Sequence, residues 1–200
     1  MPAHDRYATA GASPRAWTGR LVGDVDALDR AVAAAIAGTP TPTLDAPLRA
    51  LTRAADNSKV WFATAAVVAA LGGRRGRRAA LAGLASVGAA SATVNLALKY
   101  GAARPRPQGT AVAAGRGVPM PGSTSFPSGH AASAFAFAVG TGNQLPWLAL
   151  PLNVLAAGVA YSRVHTEVHY PSDVVAGAAI GGAAGALVSR LLRPREYRGD

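Results

Sequence analysis

Apolar positions gather in five blocks separated by polar gaps, and each block reads as a helix. The blocks cover residues 60–73, 79–98, 131–142, 145–161 and 174–188. Block 79–98 holds 20 residues without a charge, about the length needed to cross a ~30 Å hydrocarbon core. Trp61 and Phe62 open the first block as an aromatic edge of the kind favoured at headgroup level. Gly177, Gly181 and Gly185 recur every four residues, which permits close helix contact inside a membrane. Upstream, Val25, Leu28, Val32 and Ile36 follow helical spacing, with Asp26, Asp29 and Arg30 between them. The stretch 39–42 (Thr-Pro-Thr-Pro) breaks that helix, and a second short pattern runs through Leu44, Leu48 and Leu51. Both are too short and too charged to span, so they are expected on the membrane surface or capping the bundle. Packing against a soluble core is the plain alternative. The expected fold is all-α: a multi-spanning transmembrane helix bundle of about five spans with short N-terminal interfacial helices. Residues 1–22 are expected as a flexible tail, 23–58 as interfacial amphipathic helices, 59–190 as the transmembrane domain and 191–200 as a basic tail.

Charge sharpens this picture. Twenty basic residues face 10 acidic ones, a formal net charge of +10, which by itself invites a nucleic-acid partner. The distribution argues against one, because the basic residues bracket the apolar blocks instead of striping a helix. Arg74, Arg75, Arg77 and Arg78 crowd one gap, and Arg190, Arg193, Arg195 and Arg198 crowd the C-terminus. By the positive-inside rule these clusters belong in the cytoplasm, with the polar loops on the outer side of a cell membrane. Cysteine is absent, which excludes disulfides, Cys-ligated zinc, iron–sulfur clusters and thiol catalysis.

Three polar clusters remain that helix packing does not require. The first runs from Lys99 to Arg106-Pro107 in a Pro/Gly-rich connection, the second is Pro127-Ser128-Gly129-His130, and the third is Ser162-Arg163, His169 and Asp173. Taken from the residues alone, they make an anion site with an acid/base pair. Ser128 is a good helix N-cap, so the N–H groups that follow it form a phosphate cradle. Lys99, Arg106 and Arg163 can neutralise phosphoryl oxygens, the arginines through forked donors. Two histidines are available for proton transfer and nucleophilic attack, and Asp173 can hold the far nitrogen of one of them. Each residue also has a plainer reading. Lys99 could snorkel to a headgroup, Ser128-Gly129 could be an ordinary helix start, and Asp173 could simply complement a helix dipole. Arg104 could touch substrate or headgroups, His165 could be a loop histidine or a support behind the site, and Glu167 could serve as a second carboxylate near His169 but is expected in solvent.

These residues resemble the signature of the type 2 phosphatidic acid phosphatase superfamily: K-x6-R-P, then P-S-G-H, then S-R-x5-H-x3-D. Lys99 to Pro107, Pro127 to His130, and Ser162 to Asp173 match every specified letter in order. The resemblance covers about residues 60–190 and extends to small actinobacterial members. It implies an integral membrane phosphatase acting on a lipid phosphate monoester or pyrophosphate without a metal or other cofactor. His169 would be the nucleophile that forms a phosphohistidine, Asp173 its orienting acid, and His130 the group that protonates the leaving oxygen and later activates water. Lys99, Arg106, Ser128, Gly129 and Arg163 would bind the phosphate. A vanadate-dependent haloperoxidase shares this site, but such enzymes resemble larger soluble proteins. A non-enzymatic protein binding acidic lipids would leave both histidines unexplained. Polyprenyl phosphates, phosphatidic acid, phosphatidylglycerophosphate and decaprenylphosphoryl-phosphoribose all remain open as substrates, since no motif letter reads the lipid tail.

Overall fold

The structure is a computed structural model that describes residues 14–98, 103–107 and 115–192. Among these residues the regular structure is entirely helical: α1 (Pro14–Gly38), α2 (Pro42–Ala54), α3 (Lys59–Leu71), α4 (Gly73–Ala92), α5 (Gly129–Gly142), α6 (Pro146–His165) and α7 (Pro171–Leu191). A 3-10 turn (Asp56–Ser58) precedes α3, and a π-helical segment (Thr93–Leu98) extends α4. All five apolar blocks are therefore helices. Prolines at the first turn of α2, α6 and α7 mark three of the starts, where the missing N–H costs nothing.

Among the described residues, three helical stretches are long and apolar enough to cross a membrane: Gly73–Leu96, Pro146–His165 and Pro171–Leu191. Helices α3 and α5 have 13 and 14 residues, which at 1.5 Å per residue gives only about 20 Å of length. The short α5 is the central strut, packed against α4, α6 and α7.

Side-chain size is sorted from inside to outside. Ala79, Ala82, Ala90, Ala131, Ala134 and Ala156 are buried, whereas Leu81, Leu96, Trp147, Leu150, Val175 and Leu187 face outward. Small residues inside let helix backbones approach, and large apolar residues outside suit lipid more than water. The largest buried rings, Trp61 of α3 and Phe137 of α5, meet at 5.4 Å between centroids.

The N-terminal region departs from expectation in one respect. Helix α1 begins at Pro14, so residues 14–22, expected as tail, are helical, as the good helix formers Arg15, Ala16, Arg20 and Leu21 allow. Residues 1–13 lie outside the described set. The break at residues 39–41 and the second short helix follow the expected pattern. Leu21, Val22, Val25 and Leu28 of α1 are exposed, while Asp29 of the same helix is buried. The helix thus turns a carboxylate inward and an apolar stripe outward.

The bundle has two chemically distinct ends. At one end the N–H of Ser128 donates to the carbonyl of Asp173 at 2.9 Å, joining the start of α5 to the start of α7. At the other, Arg75 and Arg78 lie beside Gln144 and Leu192 around a cavity of about 490 Å³. Arg193, Arg195 and Arg198 lie outside the described residues.

Candidate active site

Asp173 anchors the polar end. It sits in the first turn of α7, fully buried, and its Oδ2 accepts the N–H of Tyr170 at 2.8 Å and the hydroxyl of Ser125. Its Oδ1 accepts from Arg104 Nη1 at 2.8 Å. A buried carboxylate so supplied with donors is held ionised and immobile.

His169 lies four residues earlier, in the turn between α6 and α7, and is almost fully buried. Its Nδ1 is 3.6 Å from Asp173 Oδ2, within ion-pair range but longer than a hydrogen bond. Its Nε2 is 3.2 Å from Arg106 Nη1. Arginine only donates, so Nε2 accepts and the ring proton belongs on Nδ1, facing Asp173. Burial, with the charges of Arg106 and Arg163, pushes the imidazole pKa down to about 4 against the opposing pull of Asp173. The ring is therefore neutral near pH 7, with the Nε2 lone pair turned toward a guanidinium.

Arg106 is held by backbone oxygens. Nη1 donates to Val168 O at 2.6 Å, Nε to Ser123 O at 2.9 Å, and Nη2 to Thr124 O at 3.1 Å and Ser123 Oγ at 3.2 Å. Burial lowers its pKa below the ordinary arginine value. Arg163, in the last turn of α6, is buried; Nη1 donates to Thr52 of α2, and Nε has no hydrogen-bond partner among the described residues. An unpartnered, buried guanidinium N–H next to a neutral imidazole suits an incoming anion. Ser128 caps α5 by accepting the N–H of Ala131 at a long 3.5 Å, and Gly129 opens the helix. His130 follows in the first turn, its Nε2 2.9 Å from Asp56 Oδ1. His169 and Arg163 both act electrostatically on that ring.

The structure thus brings Arg106, Ser128, Gly129, His130, Arg163, His169 and Asp173 to one end of the bundle. Lys99 lies outside the described residues. Glu167 departs from its expected setting, and the structure gives settings to Arg104 and His165, which the sequence left open. Glu167 is 5% exposed instead of solvated, and its backbone adopts φ 55°. Arg104 turns inward to carboxylates: its Nη2 lies 2.6 Å from Asp29 and 3.2 Å from Asp26, and its guanidinium covers the Tyr170 ring at 4.3 Å. His165 is buried in the last turn of α6, with Nε2 3.0 Å from Asp45, which Arg116 also pairs at 3.0 Å. Asp29, Thr52, Asp56 and Ser125 belong to no motif. For Asp29 and Thr52 the one sequence signal is a carboxylate or hydroxyl inside an otherwise amphipathic helix, and for Asp56 and Ser125, in a turn and a loop, there is none. A cavity of about 720 Å³ opens beside Arg106, between Ala33, Ala34 and Ala37 of α1 and Glu167 and Tyr170. No group of three His, Cys, Asp or Glu side chains converges as metal ligands among the described residues.

The chain is 43% identical over 90 residues to the decaprenylphosphoryl-5-phosphoribose phosphatase of Mycobacterium tuberculosis, 44% of this chain and 48% of that protein. It thus spans about half the length of that relative. With the protein of the same name from Mycolicibacterium smegmatis it shares 38% identity over 159 residues, 76% of this chain and 80% of the other. The fold resembles the transmembrane PAP2-type phosphatidylglycerolphosphate phosphatase of Bacillus subtilis, with a TM-score of 0.68 at 23% identity over 88% of this chain and 90% of that one. The sequence pattern of the PAP2 superfamily matches residues 79–197, the stretch that carries all three polar clusters, and the chain belongs to that superfamily.

Proposed function

We propose that this protein is a membrane phosphatase that hydrolyses a lipid phosphate through a phosphohistidine intermediate, without a metal. The observation that carries the reading is the state of His169: neutral and buried, Nδ1 toward Asp173, Nε2 toward Arg106. Nε2 attacks phosphorus as the bond from phosphorus to the ester oxygen breaks, and His130 gives its proton to the departing alkoxide. His130 then takes a proton from water, which attacks the phosphohistidine; the P–N bond breaks and inorganic phosphate leaves. Phosphoryl transfer asks mainly for positioning and charge neutralisation. Arg106, Arg163 and Lys99 supply the charge, and the N–H groups at the start of α5 add donors. The Nε of Arg163 and the donors that Arg106 now lends to backbone carbonyls are the groups a phosphate would engage.

The cavity beside Arg106 would take the alcohol portion of the substrate. Names of the mycobacterial relatives favour a polyprenyl-linked sugar phosphate, a monoester, over phosphatidic acid or phosphatidylglycerophosphate. In this reading α3–α7 make five crossings, with the two short helices completed by bundle contacts and local thinning of the bilayer. Helices α1 and α2 lie in the interface, with Leu21, Val22, Val25 and Leu28 toward acyl chains, and the site opens at the outer leaflet. Residues 59–190 form the catalytic unit in this reading. The test is phosphate release by the purified chain from a panel of decaprenylphosphoryl phosphoribose, polyprenyl pyrophosphate, phosphatidylglycerophosphate and phosphatidic acid. Turnover fastest on the first is expected, and no release from any lipid phosphate overturns the reading.

A further inference from the structure

We propose that Asp29 of α1 is a positioning residue for the Asp173–His169 pair, acting through Arg104; the role rests on the phosphatase reading above. One guanidinium serves both carboxylates. Arg104 Nη1 donates to Asp173 Oδ1 and to Ser172 Oγ, each at 2.8 Å, and Nη2 donates to Asp29 Oδ2 at 2.6 Å. Asp29 also reaches the chain beside Asp173 directly: Oδ1 accepts the N–H of Ser172 at 2.8 Å, and Oδ2 accepts the Ser172 hydroxyl. That N–H is one of the donors a helix start leaves without an intrahelical acceptor. A carboxylate 143 positions away therefore caps the turn of α7 that presents Asp173. Asp29 is 3% exposed on a helix whose neighbouring apolar side chains face outward, so burying it is a specific feature of this docking.

Electrostatics gives the arrangement a purpose. A guanidinium paired to Asp173 alone would direct its whole charge at that carboxylate and weaken its attraction for the Nδ1–H of His169. Asp29 shares the guanidinium, leaving Asp173 more of its charge for the imidazole. Burial opposes the charge of Arg104, yet its bonds to Asp29 and its pairing with Asp173 hold its pKa above the ordinary value. Asp29 lies outside the stretch matched by the family pattern. By this account α1 is part of the catalytic apparatus.

The test uses the full chain in detergent and a lipid phosphate that the parent turns over. Asp29→Asn keeps an acceptor for Ser172 and removes the nearer of the two α1 carboxylates on Arg104 Nη2, Asp26 at 3.2 Å being the other. The expected result is a loss in kcat of roughly tenfold to a hundredfold, with KM within about twofold. Asp29→Glu should recover most of that loss, and Asp24→Asn, exposed on the same helix, should change nothing. Arg104→Lys, which keeps the charge without the fork, should reproduce the kcat loss even if Asp29→Asn does not fold. Unchanged kcat in Asp29→Asn overturns the role, as does a loss confined to KM, or one that Asp29→Glu does not recover. A parent chain silent on every lipid phosphate overturns the phosphatase reading itself, and the role with it.

Discussion

Gly181 of α7 lies against Ala132 of α5 so closely that a Cβ added to it would stand 2.1 Å from the Ala132 carbonyl oxygen. Gly177 and Gly185, one helical turn to either side, face α5 in the same way, at 2.4 Å from Ser128 O and 2.9 Å from Ala136 O. The contact fixes α7 on α5, and with it Asp173 beside Ser128. Gly181→Ala should therefore destabilise the bundle by about 1–3 kcal/mol. Gly182, with open space around its Cβ position, should gain up to about 1 kcal/mol from the same change through helix propensity. Thermal midpoints of the two variants in one detergent check the opposite signs.

His169→Ala should abolish turnover on every substrate while leaving insertion and folding intact, because it removes the atom that accepts the phosphoryl group. His130→Ala should cost about 10²–10⁴-fold on a lipid phosphate, where the alkoxide needs a proton, and far less on an activated aryl phosphate. Steady-state rates on both substrates separate the roles. Equal losses on the two would remove His130 as the acid, and retained turnover in His169→Ala would remove the mechanism.

The pH profile follows from the burial of His169. Attack requires the neutral ring, and its pKa is pushed down to about 4. Activity governed by this group is thus present above that value and is lost as pH falls through it. The acid limb of kcat/KM, which reports the free enzyme, should lie near pH 4. An acid limb at the ordinary histidine value of about 6.5 would mean that the ring is more open to water than the structure has it.

The sequence made the helices and the motif cluster legible because both are written in local patterns. Apolar runs bounded by Gly and Pro gave every helix of the bundle, and fixed spacings gave Arg106, His130, Arg163, His169 and Asp173. What was hidden depends on long-range contact. Nothing near Asp29 announces Arg104, which is 75 positions away. Nothing near Thr52 announces Arg163, 111 positions away. Glu167 departs from expectation for a related reason: a carboxylate in a short polar turn is ordinarily solvated, yet here it is 5% exposed in the wall of the cavity beside Arg106. The start of α1 was missed because Gly and Ser in the first twenty residues mask a helix-forming run that begins at Pro14.

Chelation and vanadate test the charge arrangement. In the proposed mechanism Arg106, Arg163 and Lys99 do the neutralising that a divalent metal does in other phosphotransfer sites. Turnover should persist in EDTA after metal-free dialysis. Vanadate, which adopts the five-coordinate geometry of the phosphoryl group in transit, should inhibit competitively. A strict requirement for Mg²⁺ would show that Arg106, Arg163 and Lys99 do not suffice.

Topology gives the last prediction. Arg75 and Arg78 sit at the end of the bundle opposite Asp173 and His169, and α4 joins their end to the motif loop. If α4 crosses the bilayer with its arginines in the cytoplasm, the loop after it lies outside, whatever α1 and α2 do. The chain has no cysteine, so single cysteines can be read without background. Met120, half-exposed in the motif loop, and Arg77, exposed in the first turns of α4, are sites that tolerate the change. Gly76 does not, since its Cβ would stand 2.2 Å from Val68 O. A membrane-impermeant thiol reagent on intact cells should label Met120→Cys and spare Arg77→Cys. The reverse pattern would invert the protein and move its substrate to the cytoplasmic leaflet. Labelling of both would show that α4 does not cross, and that the positive charge gathered at its start does not set the orientation of this bundle.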